Sequence, residues 1–222
     1  AIRGSVDVLL EGEGVESQRF LEIIARHTTR MEHLVSDLLR LARLDAGEET
    51  LNRLSFSTRS LLTGVQTELL SLLEHKNLAL EIQIPVEAET VFGDPTKLHD
   101  VLKNLVENAA HYAPEDTTIR LTAVCGEANT ITICVEDRGP GIPDIDLSRV
   151  FERFYRVERS RVRNPGGTGL GLAIVKHLVG LHEGTVLAEN RTDGGSVFSV
   201  TLPKPSHFQE EQVKPTGGVV PV

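Results

Sequence analysis

Residues 95–112 read Pro95-Thr96-Lys97-Leu98-His99-Asp100-Val101-Leu102-Lys103-Asn104-Leu105-Val106-Glu107-Asn108-Ala109-Ala110-His111-Tyr112, and their spacing decides what kind of fold this chain builds. Pro95 suits the first turn of a helix, with Asp94 as its N-cap. Leu98, Val101, Leu102, Leu105, Val106 and Ala109 recur at helical spacing and must face a core. Asp100, Asn104, Asn108 and His111 share the opposite face. Asn is a mediocre helix former, and Lys or Glu would serve a solvated face better. Asn104 and Asn108 therefore point to a ligand, whereas Asp100 reads best as facing solvent. A carboxamide oxygen is a neutral, hard donor of the kind Mg²⁺ accepts.

Three further motifs lie downstream. Asp137 closes the apolar run Ile131-Thr132-Ile133-Cys134-Val135-Glu136, with Gly139 and Gly141 behind it. A carboxylate there can accept a hydrogen bond, and the glycines let backbone come close to a flat ring; by itself, Asp-x-Gly is a turn. Phe151-Glu152-Arg153-Phe154-Tyr155-Arg156 lies in an irregular, arginine-rich stretch that also holds Arg149, Arg159, Arg161 and Arg163. Its aromatics predict a segment that docks and undocks as a lid would, although a solvated loop accounts for Arg159 to Arg163. Gly166-Gly167-Thr168-Gly169-Leu170-Gly171 opens a helix expected over 168–182. Backbone N–H groups of such a loop converge on an anion, and the helix N-terminus favours negative charge. The Lys and hydroxyl pair of a P-loop is missing.

In this order the four motifs resemble the N, G1, F and G2 boxes of sensor histidine kinases, within the GHKL (Bergerat-fold) ATP-binding superfamily. The resemblance covers nearly the whole chain. It implies ATP and Mg²⁺ as cofactors, with Asn108 holding the metal and Asn104 arranging the site. It assigns Asp137 to adenine and Arg156 to the γ-phosphate, so Asn104 and Arg156 are the catalytic candidates. The implied nucleotide-binding set is Asn104, Asn108, His111, Tyr112, Asp137, Gly139, Gly141, Ile142, Gly167, Thr168, Gly169, Leu170 and Gly171. His111 can donate to a phosphate oxygen or simply face solvent. ATP-hydrolysing relatives carry Glu at position 104, where it activates water; Asn cannot take a proton, and Glu107 points off that line. The resemblance thus favours a kinase that passes phosphate to a histidine and then to an aspartate of a response-regulator receiver domain. A GHKL-type ATPase or serine kinase is one rival; a non-catalytic nucleotide-binding scaffold is the other.

The rest of the chain fits an α+β organisation. Residues 1–50 read as a helical hairpin, half of a dimeric four-helix bundle, and 51–204 as a two-layer α/β sandwich of the Bergerat type, three helices on one mixed sheet. Residues 205–222, with three prolines, read as a disordered tail. Within the hairpin, Glu11-Gly12-Glu13-Gly14 breaks a first helix over 1–10. Leu21, Ile24, Thr28, Met31, Val35, Leu38 and Ala42 then form a heptad seam on a second, over 16–46. One helix is expected over 58–75. Hydrophobic residues make up 40% of the 222 and Trp is absent, so Leu, Val and Ile must build the core. The net charge of −9 argues against a nucleic-acid partner. Cys125 and Cys134 read as two buried thiols. No run approaches the ~18 apolar residues of a membrane span. Ala1-Ile2-Arg3-Gly4 resembles the stretch just after the family's phosphoacceptor motif, so the acceptor histidine and any membrane anchor are expected upstream. His27 and His33 read as ordinary helix residues. The chain would then be the cytoplasmic portion of an inner-membrane-anchored parent.

Overall fold

The computed structural model describes residues 15–47, 49–126, 129–157 and 168–204, with side chains from residue 20 onward. The first hairpin helix, Arg159, Arg161, Arg163, Gly166, Gly167 and the tail over 205–222 lie outside the described residues.

Helix α1 (Val15–Asp45) bears the heptad residues, but they do not face the rest of the chain. Leu21, Met31, Val35 and Leu38 are 40 to 56% exposed. Only the last two turns of α1 join the core, through Leu41 and Leu44.

Strand β1 (Leu54–Ser57) pairs antiparallel with β3 (Thr90–Gly93) as a small ribbon of its own. Between them run α2 (Thr58–Glu68), α3 (Leu70–His75) and β2 (Ala79–Gln83). The single helix expected over 58–75 is interrupted at Leu69. There the Thr67 hydroxyl donates to the Thr63 carbonyl at 2.9 Å, a back-bond that bends helices. Leu69 N–H still reaches Val65 O and Leu73 N–H still reaches Leu69 O, so hydrogen bonds bridge the break between the two helices.

After β3 comes α4 (Pro95–Tyr112), then the hairpin β4 (Thr118–Gly126) and β5 (Thr130–Glu136), the one-turn helix α5 (Asp144–Leu147), α6 (Gly171–Leu181), β6 (Thr185–Asn190) and β7 (Ser196–Pro203). The main sheet has the order β2-β4-β5-β7-β6. Its β2–β4 pair is parallel and the other pairs antiparallel, as the α/β-sandwich expectation requires.

Strand alternation sets the core. Ile119, Leu121 and Ala123 of β4, Ile131, Ile133 and Val135 of β5, and Phe198, Val200 and Leu202 of β7 all point to one side and are buried. Over them lie Leu61, Leu62 and Val65 of α2, the apolar side of α4, and Ile174, Val175 and Leu178 of α6. Full burial of one such side chain is worth roughly 1.5–3 kcal/mol. The other face is polar: Thr132 and Thr201 hydroxyls meet at 2.9 Å and Cys134 Sγ lies 3.4 Å from Ser199 Oγ. The expectation of two buried thiols fails here. Cys134 is half-buried because alternation puts it on that open face, and Cys125 is exposed because it lies at the end of β4, where burial stops at Ala123.

Candidate functional site

The candidate site is built around α4. Asp94 caps it, accepting from the N–H groups of Thr96 and Lys97 at 3.0 and 3.1 Å, and its other oxygen accepts from Asn52 N–H at 2.9 Å. Burial alone would raise the Asp94 carboxyl, but these donors outweigh it and hold it below its ordinary value. Asp94 N–H donates to Nε2 of His182 at 3.0 Å, while His182 Nδ1–H is satisfied by Leu178 O at 2.8 Å. The start of α4 is thereby bonded to the end of α6.

Farther along α4 the two helices meet at the sequence-predicted residues. Asn104 Nδ2 donates to Asp100 O at 2.8 Å, fixing its carboxamide with Oδ1 beside α6. A Cβ on Gly171 would stand 2.7 Å from that oxygen, so any larger residue there would have to displace the Asn104 carboxamide. Asn108, one turn on, is half-buried. Its carboxamide has no hydrogen-bond partner among the described residues. Glu107 lies between the two Asn positions, half-buried. Desolvation raises its carboxyl, against Lys103 and His111, which lower it. His111 is exposed with Nδ1 on Glu107 O at 2.6 Å, which leaves Nε2 open. Tyr112 is half-buried.

Asp137 is buried at the end of β5, 3% exposed. Its Oδ1 accepts from Gly139 N–H at 2.6 Å and Ser196 N–H at 3.4 Å, and its Oδ2 from the Ser196 hydroxyl at 2.5 Å. A carboxylate oxygen has two acceptor positions, so Oδ2 can take one more donor. The loop beyond it, Gly139 to Ile142, is clamped by Asn190 of β6. Asn190 Oδ1 accepts from Ile142 N–H at 2.8 Å, and its Nδ2 donates to Ile142 O at 2.6 Å. The sequence pattern singles out neither Ser196 nor Asn190. The Gly194-Gly195 turn before Ser196 marks its place, but no local pattern says that its hydroxyl returns to Asp137.

The F segment is partly docked. Phe151 meets Phe198 edge-on with ring centroids 6.2 Å apart. The Tyr155 hydroxyl donates to Asp146, and the Arg149 guanidinium lies over the Tyr155 ring at 4.2 Å. Phe154, by contrast, is 56% exposed with φ +62°. Its N–H donates to Gly169 O at 2.9 Å, joining the F segment to the glycine loop. Arg156 is half-buried. The expected helix start at Thr168 is corrected to Gly171: Gly169 has φ +73°, a left-handed conformation that glycine adopts without penalty and that no helix contains. Thr168 Oγ1 accepts from Leu170 N–H at 3.2 Å, and Leu170 is fully buried. The four segments are thus joined pairwise: Phe154 to Gly169, Gly171 to Asn104, and Gly139 to the Tyr112 carbonyl at the end of α4.

A family model described as histidine kinase-, DNA gyrase B- and HSP90-like ATPase matches residues 93–206. The chain belongs to this ATPase family. A second model, the His Kinase A (phospho-acceptor) domain, matches residues 1–47, so α1 falls within the phosphoacceptor match and α4 through β7 within the ATPase match. Sensor histidine kinase WalK of Bacillus subtilis is 33% identical over 215 residues, 95% of this chain and 34% of that protein. Among solved structures, full-length ShkA in complex with AMPPNP is similar at a TM-score of 0.73 and 25% identity, over 88% of this chain and 41% of that one. Histidine kinase ThkA in complex with response regulator protein TrrA has the same fold, at a TM-score of 0.72 and 23% identity, over 92% and 59% of the two chains. The chain spans about half or less of the length of the curated relatives it matches. No helix among the described residues is long and apolar enough to cross a membrane.

Proposed function

We propose that this chain binds Mg-ATP in the cleft between α4, the Asp137 loop and the start of α6, as the ATP-binding and kinase portion of a sensor histidine kinase. The observation that carries the reading is the buried Asp137 carboxylate, held by Ser196 and Gly139 with acceptor capacity to spare. It matches the exocyclic amine of adenine. The AMPPNP bound to ShkA and the ATPase family model support the same ligand class.

The residues fit the metal as well. Asn108 offers an oxygen with no protein partner among the described residues. No group of three or more His, Cys, Asp or Glu side chains able to hold a metal occurs among the described residues, so Mg²⁺ would rely on Asn108, phosphate oxygens and water, as that ion commonly does. ATP supplies the phosphoryl group; the chain orients it and excludes water. Asn104 cannot act as a base, which disfavours hydrolysis. Gly169 to Gly171 and Thr168 open α6 toward the phosphates, and Arg156 supplies positive charge for the γ-phosphoryl group. Gly167 belongs to the same proposed loop.

The remaining assignments complete the reading. The phosphoryl group passes to a histidine of the phosphoacceptor domain and on to an aspartate of a response regulator; the ThkA–TrrA complex supports that partner class. The chain pairs with a second copy through α1, whose seam is exposed, and the parent is membrane-anchored with this part in the cytoplasm.

Replacing Asn108 with Ala should weaken Mg-ATP binding tenfold or more while leaving adenosine binding within about twofold, because only the phosphate end loses a ligand. Calorimetric titration of both ligands decides it, and equal losses would refute the metal assignment.

A further inference from the structure

One face of α1 touches three of the four motifs. The Thr168 hydroxyl of the glycine loop donates to Asp37 Oδ2 at 3.0 Å. Arg40 pairs with Asp100, which therefore faces α1 rather than the open solvent expected for it, and whose carbonyl holds the Asn104 amide. Arg153 of the F segment donates both its terminal nitrogens to the Asp45 carboxylate, at 2.5 and 2.8 Å. Behind these contacts Leu41 and Leu44 are buried. The polar contacts are partly exposed, and exposed pairs of this kind are individually weak, so the docking of α1 is readily reversed.

We infer that α1 carries a nucleotide-sensitive latch, in which Asp37 and Asp45 hold the glycine loop and the F segment onto α1 and Mg-ATP works against that hold. The inference rests on the reading above, which puts the phosphates at the glycine loop. Asp37 places a carboxylate one hydrogen bond from Thr168 and engages the hydroxyl that a phosphate oxygen would otherwise receive. A triphosphate at that loop meets like charge there, and adenosine does not. Coupling of this kind is reciprocal: if the latch weakens Mg-ATP binding, Mg-ATP must loosen the latch by the same factor. Asp37 and Asp45 are positioning residues, acting through Thr168 and Arg153.

The test uses the whole 222-residue chain. Asp37→Asn should tighten Mg-ATP by about three- to tenfold, the effect of removing one unit charge a few ångströms away in a largely aqueous setting. Adenosine should change by less than twofold. A purely structural role would move both ligands together. Independently, backbone hydrogen exchange over residues 37–45 should speed up severalfold on saturation with Mg-ATP and stay unchanged with adenosine. Mg-ATP affinity unchanged or lowered in Asp37→Asn, with the parent chain binding normally, would overturn the latch alone. Failure of the parent chain to bind either ligand would overturn the cleft reading and the latch with it.

Discussion

At Asp137 and Ser196 two residues distant in sequence form one hydrogen-bonded unit. The Ser196 hydroxyl and the Gly139 N–H fix both carboxylate oxygens, so the direction in which Asp137 presents its remaining acceptor position depends on a side chain from β7. Ser196→Ala deletes a charge-assisted hydrogen bond to a buried carboxylate, a loss of about 1.5–3 kcal/mol in stability. If Asp137 receives adenine as proposed, the change should also weaken adenosine and Mg-ATP alike, by about three- to tenfold, because both ligands carry that ring. Urea titration and calorimetry measure the two effects. A loss confined to Mg-ATP would place Asp137 elsewhere in the cleft. Asp137 itself was legible because it ends an apolar run and precedes two glycines; Ser196 was not, because long-range pairing alone brings it there.

Among the elements, α4 was the most legible, since cap, first-turn proline, apolar face and polar stripe all agree in one local stretch. The start of α6 was less so. Thr168 to Leu170 carry no helix breaker that a pattern would flag other than glycine, and the conformation is set by Phe154 bonding to Gly169. The heptad seam of α1 was correctly periodic, but periodicity does not say which partner covers it. Within α4, Asp94 satisfies N–H groups of its own first turn and that of Asn52. Asp94→Ala should cost about 1–2 kcal/mol, seen as a lower urea midpoint, and Asp94→Asn distinctly less. Equal stability of the Ala variant would mean that water replaces the cap without penalty.

Across the whole molecule, acid should act in two stages. Burial lowers the His182 imidazole from its ordinary 6.5, so the unfolded chain takes up this proton first. Stability therefore falls as the pH drops below about 6.5 and levels once the folded form titrates. Asp94, depressed from 3.8, contributes stability that is present above that value and lost as the pH falls through its folded value. Urea midpoints across pH 3–8 should show both stages, and His182→Gln should erase the upper one; a flat profile between 7 and 5 would contradict it. The same His182–Asp94 bond also sets a lever. Asn108 stands fourteen residues along α4 from Asp94, about 21 Å at 1.5 Å per residue. At the far end Asn104 and Gly171 merely touch. A tilt of about 3° between the two helices about that bonded corner moves Asn108 by about 1 Å, the displacement at which a positioned group already loses much of its effect.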